Sequence, residues 1–309
     1  MTLADYRRWA STPNSDQPEL SVVIPTYNEE WRILPTVGAI ASHVSSMGIP
    51  WELIVADDGS TDSTVELIQA LDLVNLRLLI AESNSGKGSA VRRGFKASHG
   101  DYVLFADADQ STPIEQLDLL LNEIHSGNAD IAIGSRAAGG ATVRSKGTVR
   151  KLASWGLSTL IQLLYPLRIE DTQCGFKLFS GEAARTLFDL QLIDGFSFDL
   201  EVLYLAHRLG YRVVEVPVEW IDAPGSTVST SKVAVAFIRD LIVVRANEAR
   251  GAYRGPVNDT SLQGVNQWTS LPNGTRPSTR PADPEKPSPN SADVSTPTSV
   301  MSSTSTSTS

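Results

Sequence analysis

Four times between residues 20 and 126 a short apolar run stops at a polar turn, and helical spacing follows. Residues 20–25 lead through Thr26-Tyr27-Asn28-Glu29-Glu30 into a helical pattern over 33–46. Residues 51–56 lead through Asp57-Asp58-Gly59-Ser60-Thr61-Asp62 into 64–71, and 75–81 lead through Asn84-Ser85-Gly86-Lys87-Gly88 into 89–98. Residues 102–105 lead through Asp107-Ala108-Asp109-Gln110 into 114–126, and 130–134 read as a fifth strand. Val, Ile and Leu runs of this length favour strands. Strands alternating with single helices imply an α/β fold, an open, mostly parallel Rossmann-like sheet with helices on both faces. Further helical patterns cover 180–190, 199–209 and an amphipathic, peripheral 232–250, and 212–219 alternates like a strand.

In such sheets ligands bind beyond the strand C-termini, which is where all four polar turns fall. Asp107 and Asp109 offer two hard oxygen donors, a half-site for Mg²⁺ or Mn²⁺ that leaves other positions to water and phosphate. A D-x-D pair also occurs on ordinary solvated loops, so it needs support from its neighbours. Pro25, Tyr27 and Glu29 provide a stiff turn, an aromatic face for a nucleobase and a carboxylate for base or ribose hydroxyls, although Pro and Asn also merely punctuate turns. Capping explains Gly59, Ser60 and Asp62. It does not explain Asp57 beside Asp58, two carboxylates that repel unless something binds them. Gly86-Lys87-Gly88 resembles a phosphate cradle at a helix start, but it lacks P-loop spacing. A nucleoside diphosphate with its metal would use all four turns.

The net charge of −9 over 309 residues argues against a nucleic-acid partner. One cysteine, Cys174, excludes an internal disulfide framework and suits a reducing compartment. Residues 1–19 form a polar lead-in without a signal-peptide core, and no apolar run is long enough to span a bilayer. From residue 136 to 169 there is no acid, whereas Arg136, Arg144, Lys146, Arg150, Lys151 and Arg168 are basic. Residues 137–148 read as a mobile loop. The apolar stretch 151–167 either packs in the core or lies in a lipid interface with its cations at headgroup level. Residues 20–254 are expected to fold, with 136–170 as a basic loop and apolar acceptor or membrane segment. The Ser/Thr/Pro-rich tail 255–309 is expected to be disordered.

The order of Pro25-Thr26-Tyr27-Asn28-Glu29, Asp57-Asp58-Gly59-Ser60, Gly86-Lys87-Gly88, Asp107-Ala108-Asp109, Gly134-Ser135-Arg136 and Asp171-Thr172-Gln173-Cys174-Gly175-Phe176-Lys177 resembles glycosyltransferase family 2 of the GT-A fold. The last run, with Phe198-Asp199-Leu200-Glu201 and Val216-Pro217-Val218-Glu219-Trp220, is similar to the polyprenyl- or dolichyl-phosphate β-glucosyltransferase and mannosyltransferase branch. The resemblance covers about residues 20–250. It implies inverting transfer of a hexose from a nucleotide-sugar, UDP-glucose or else GDP-mannose, to a polyprenyl phosphate at the cytosolic face of a membrane, with peripheral attachment. A soluble acceptor, or a non-catalytic nucleotide-binding module, are the rival readings. By matching motif, Tyr27 and Glu29 meet the base, Asp57 and Asp58 lie near base and ribose, and Lys87 is a candidate phosphate or ribose contact. Asp107 and Asp109 hold the metal. Arg136, Arg144 and Gln173 serve the acceptor. Asp171 orients acceptor or sugar hydroxyls, or else serves as an N-terminal cap or pairs with Arg168. Glucosyl-type members more often carry Gly where this chain has Gln110.

Overall fold

In the computed structural model, the described residues are 9, 17–71, 73, 75–144, 167, 169–222 and 230–254, with backbone alone at 144 and 230–238. The expected units form in order: β1 (Leu20–Thr26), α1 (Ile33–Ser46), β2 (Trp51–Asp57), α2 (Thr64–Gln69), β3 (Leu76–Ile80), α3 (Lys87–Ala97) and β4 (Tyr102–Ala106). A 3₁₀ turn (Ile114–Gln116) then leads into α4 (Leu117–His125), followed by β5 (Ile131–Ser135) and β6 (Thr142–Arg144). The remainder comprises β7 (Phe176–Ser180), α5 (Gly181–Leu190), α6 (Phe198–Arg208), β8 (Val213–Pro217), β9 (Glu219–Ile221) and α7 (Thr230–Ala249).

Seven strands join in the order β3-β2-β1-β4-β7-β5-β8. Six share one direction; β7 alone runs antiparallel, inserted between β4 and β5. The expected sheet is thus mostly parallel, with one strand that its sequence conceals. Phe176-Lys177-Leu178-Phe179 carries a lysine near its centre, and Lys177 is nonetheless buried because Asp199 of α6 lies 2.7 Å from its Nζ. The alternating run 212–219 divides at Val218: β8 stops before it, and β9 turns away after it to pair in parallel with β6. Residues 142–144, expected within a mobile loop, are therefore held as a strand against Glu219–Ile221.

Side chains alternate across the sheet, as the pleat requires. Val22, Ile24, Leu53, Val55 and Leu104 point to one face, where α1 and α4 cover them with Val37, Ile40, Leu117 and Leu120. Val23, Ile54, Val103, Phe105 and Ile133 point to the other, against Val91 and Phe95 of α3, Leu187 and Phe188 of α5 and Leu203 of α6. Leu241 and Val244 seat α7 in this second layer, so its C-terminal half docks on the core.

The side chain of Arg144, the basic residues Lys146, Arg150, Lys151 and Arg168, the apolar segment over 151–166 and the tail 255–309 lie outside the described residues, as does most of the lead-in 1–19. Among the described residues no helix is long and apolar enough to cross a membrane.

Candidate active site

The C-terminal ends of β1, β2 and β4 and the start of α3 surround a cleft of about 260 Å³. Pro25, Tyr27, Glu29, Asp58, Lys87, Asp107 and Asp109 all line it. Seven of the residues singled out by sequence are thereby gathered into one space.

Asp57 is not among them. It is fully buried, and its carboxylate accepts from Gly59 N at 3.0 Å, Ser60 N at 2.9 Å and the Ser60 hydroxyl. This is a turn held from within, so Asp57 is absent from the cleft wall even though its neighbour reaches it. Asp58 is turned the other way: its Oδ2 accepts from Ser85 N at 3.0 Å and Gly86 N at 2.6 Å, and Arg93 Nη2 lies 3.4 Å from Oδ1. It fixes the turn that delivers Lys87. The β1–α1 loop is laced to the β2–α2 loop through Asn28 Oδ1 accepting from Thr61 N (2.8 Å) and Glu29 N donating to Thr64 Oγ1 (2.8 Å). Asn28 takes a left-handed backbone, φ 56°, to make that lacing, a conformation Asn tolerates better than most residues.

The D-x-D turn is clamped from below. Thr36 Oγ1 on α1 donates to Ala108 O at 2.6 Å, and Gln110 Nε2 donates to Thr36 O at 2.9 Å. Gln110, with φ 50°, thus turns the chain after Asp109 and ties it to α1. Asp107 N donates to Gly175 O at 3.0 Å. A Cβ at Gly175 would fall 1.8 Å from Asp107 Oδ2, so the carboxylate can occupy its place only over a glycine.

Lys87 Nζ lies 2.6 Å from Asp107 Oδ1 and 5.2 Å from the Phe105 ring centroid. Burial alone would lower its pKa, but Asp107, Asp199 and Asp109 outweigh that and raise it. Lys87 is therefore a cation at neutral pH. Glu29 is shifted upward, first by burial and then by repulsion from Asp109 and Asp107, against the stabilising Arg32 guanidinium 2.6 Å away. Four carboxylates, Glu29, Asp58, Asp107 and Asp109, line one cleft, which favours a cation among them. Among the described residues no three His, Cys, Asp or Glu side chains converge as a complete metal cage. Two cleft-facing carboxylates beside open volume suit Mg²⁺ or Mn²⁺ instead, since these hard ions keep sites for water and phosphate.

Arg136 and Asp171 stand outside the cleft walls and are joined to each other. Arg136 Nε and Nη2 donate to the two Asp171 oxygens at 2.7 and 2.8 Å, and its backbone N adds a third bond. Asp171 is thus paired with Arg136, a partner that the sequence did not suggest; Arg168 lies outside the described residues. Burial opposes its ionisation, but these bonds bring its pKa below the usual carboxylate value. Arg136 is held above its ordinary range: burial works against it, and Asp171, Cys174 and Asp107 prevail. The guanidinium lies 5.5 Å from the Trp220 ring centroid. Glu215 on β8 braces the loop by accepting from Glu170 N and Asp171 N. Gln173 is exposed and offers its backbone N–H to Asp171 Oδ1 at 3.3 Å.

Sequence reasoning missed Arg32 and Phe196, both cleft residues. Arg32 was findable, because it sits three residues after Glu29 at a helix start, where such pairs meet. Phe196 has no local signature; a loop distant in sequence brings it to Lys87, at 5.9 Å. Asp199 and Glu201, which the resembling motif singles out, are both buried: Asp199 pairs with Lys177, and Glu201 accepts from Leu192 N, Ile193 N and the Tyr253 hydroxyl.

A family model described as Glycosyl transferase family 2 matches residues 21–188. The dolichyl-phosphate beta-glucosyltransferase of Saccharomyces cerevisiae is 34% identical over 255 residues, 76% of each chain. The Homo sapiens enzyme of that name is 33% identical over 256 residues, covering 78% of this chain and 79% of its own. Among solved structures, glucosyl-3-phosphoglycerate synthase from Mycobacterium tuberculosis with Mn²⁺ and UDP-glucose aligns with a TM-score of 0.56 and 22% identity, covering 80% of this chain and 83% of that one. This last likeness is one of GT-A fold.

Proposed function

This chain belongs to glycosyltransferase family 2 and transfers a sugar, and from that premise we propose that it moves glucose from UDP-glucose to the phosphate of a dolichyl or related polyprenyl phosphate, with inversion. The names of its relatives support the donor sugar, the acceptor and the β product. The observation that carries the chemistry is the convergence of Asp107, Asp109 and Lys87 on one cleft that Tyr27 and Glu29 also line.

Tyr27 and Glu29 take the base. Asp58 acts at one remove, by setting the turn that presents Lys87. Asp107 and Asp109 would hold a divalent cation, Mg²⁺ or Mn²⁺, which would supply Lewis acidity against the charge on departing UDP. Lys87, cationic and within reach of Asp107, faces the same diphosphate and adds a second positive charge there. A phosphate oxygen of the acceptor attacks the anomeric carbon as the bond to UDP breaks, and UDP leaves with the electron pair. That nucleophile is already anionic, so no strong base is required. Asp171 fits this economy: paired with Arg136 and held in its ionised form, it is a poor proton acceptor and a good anchor. Arg136, with Nε and Nη2 engaged, keeps Nη1 for the acceptor phosphate. Arg144 and Gln173 would extend that acceptor side. The acceptor resides in lipid, so the protein works peripherally at a membrane surface, on the cytosolic side that suits its single cysteine.

Incubation with dolichyl phosphate and either labelled UDP-glucose or labelled GDP-mannose tests this reading. Label from UDP-glucose should enter the organic phase, and chelation or combined Asp107→Asn and Asp109→Asn should stop it. Label confined to water-soluble product overturns the acceptor, and preferential use of GDP-mannose overturns the donor.

A further inference from the structure

The loop between α5 and α6, residues 191–197, is anchored in an unusual way for a surface segment. The buried carboxylate of Glu201 accepts from Leu192 N and Ile193 N. The buried Gln191 amide donates to Gly88 O, and Arg92 Nη2 lies 2.6 Å from Asp194 Oδ1. Asp194 O accepts from Ser89 N at 3.2 Å, and Ser197 Oγ donates to Asp240 Oδ2 of α7 at 2.8 Å. Gly86, with φ +109°, lets the loop backbone come so close that a Cβ there would stand 2.4 Å from Asp194 O. The loop is in effect fused to the start of α3, the helix that begins with Lys87.

Two of the side chains that this loop exposes are large and apolar, beside the exposed Asp194 that pairs with Arg92. Leu192 is 46% exposed and Phe196 48%, and Phe196 lines the cleft with Lys87 Nζ 5.9 Å from its ring centroid. Exposed side chains of this size cost solvation, and a mobile loop would fold them away; here the backbone bonds hold them out. Phe196 therefore sets a half-exposed aromatic ring beside the charged groups of the cleft, which suits an acceptor whose phosphate joins directly to an apolar chain. The diphosphate makes no use of an apolar ring, and Tyr27 already offers the base an aromatic face.

We propose that Phe196 forms an apolar lip that receives the first isoprene units of the acceptor and so selects polyprenyl phosphates over soluble phosphates. The inference rests on the lipid-phosphate acceptor proposed above and assigns it a contact on this chain. Phe196 is a specificity-determining residue and takes no part in the bond exchange.

The test is steady-state kinetics of the full chain with UDP-glucose and two acceptors, a long polyprenyl phosphate in detergent micelles and the short, soluble isopentenyl phosphate. Phe196→Ala should raise KM for the long acceptor about tenfold, as loss of a ring's worth of buried apolar area predicts. KM for UDP-glucose and kcat should stay within about twofold, since the ring adds ground-state binding only. Phe196→Trp should retain the low KM and Phe196→Ser should not. An unchanged acceptor KM in Phe196→Ala refutes the inference and leaves the acceptor assignment standing. A matching rise in KM for UDP-glucose would mean that the ring stacks on the donor sugar, which also overturns the lip. Absence of any lipid product from the unaltered protein refutes the acceptor assignment and the lip together.

Discussion

Adding one methyl group at Gly175 should disable the cleft without unfolding the chain. The new Cβ would lie 1.8 Å from Asp107 Oδ2 and 2.3 Å from its Cγ, and real Cβ contacts begin near 3.0 Å, so the carboxylate must retreat by about 1.2 Å. The backbone has little freedom to absorb that shift. Asp107 N bonds Gly175 O at 3.0 Å, and the adjoining residues Ala106 and Phe176 are paired in the β4–β7 ladder. The Asp107 side chain must therefore rotate, abandoning Lys87 Nζ at 2.6 Å and its place beside Asp109. Misplacing a reacting group by about 1 Å costs on the order of 10²-fold in rate, and local overpacking costs about 1–3 kcal/mol of stability. Gly175→Ala should accordingly lose about 100-fold in kcat/KM for sugar transfer while its circular dichroism and cooperative unfolding persist. Because the glycine acts through Asp107, the double variant Gly175→Ala with Asp107→Asn should be no slower than Asp107→Asn alone. A folded Gly175→Ala with unaltered kcat/KM would refute the placement of Asp107 as a group whose position matters.

Three other outcomes follow from the same geometry. Gln110→Ala and Gln110→Gly both lose the bond to Thr36 O, worth about 1 kcal/mol, but only glycine relieves the left-handed backbone, so Gly should exceed Ala by about 1 kcal/mol in urea unfolding. Lys177→Met leaves Asp199 buried without its partner and should cost about 3–5 kcal/mol, whereas Lys177→Met with Asp199→Leu should recover most of it; equal loss in both would show that the pair's charge is not what matters. Asp171 has a depressed folded pKa, so its stabilising contribution is present above the ordinary carboxylate pKa and lost as pH falls through the folded value. The urea midpoints of the unaltered chain and Asp171→Asn should therefore converge as the pH is lowered through and below the usual carboxylate range, and a constant gap would count against the pairing with Arg136.

How much of this was readable in advance varies from residue to residue. The strand–turn–helix units from 20 to 126 announce themselves through local periodicity, and Asp107 and Asp109 through their place at a strand end. The two faces of the sheet follow from that same alternation. Strand β7 stayed hidden, since a lysine in mid-strand looks exposed until a carboxylate 22 positions away is known to bury it. Asp57 and Asp58 are equivalent as letters and opposite in role, because one faces its own turn and the other the next strand's turn.

By itself, then, the sequence determined the α/β class, the succession of charged turns on one sheet edge and the carboxylates at its centre, all properties set by neighbours a few positions apart. Tertiary structure alone decided the antiparallel insertion of β7, the Arg136–Asp171 pair across 35 positions, and the glycine that clears room for Asp107. It also brought Phe196 to Lys87. Each of these joins residues distant in the chain, and which distant groups meet depends on how strands order in the sheet and how loops pack upon it, for which local spacing carries no record.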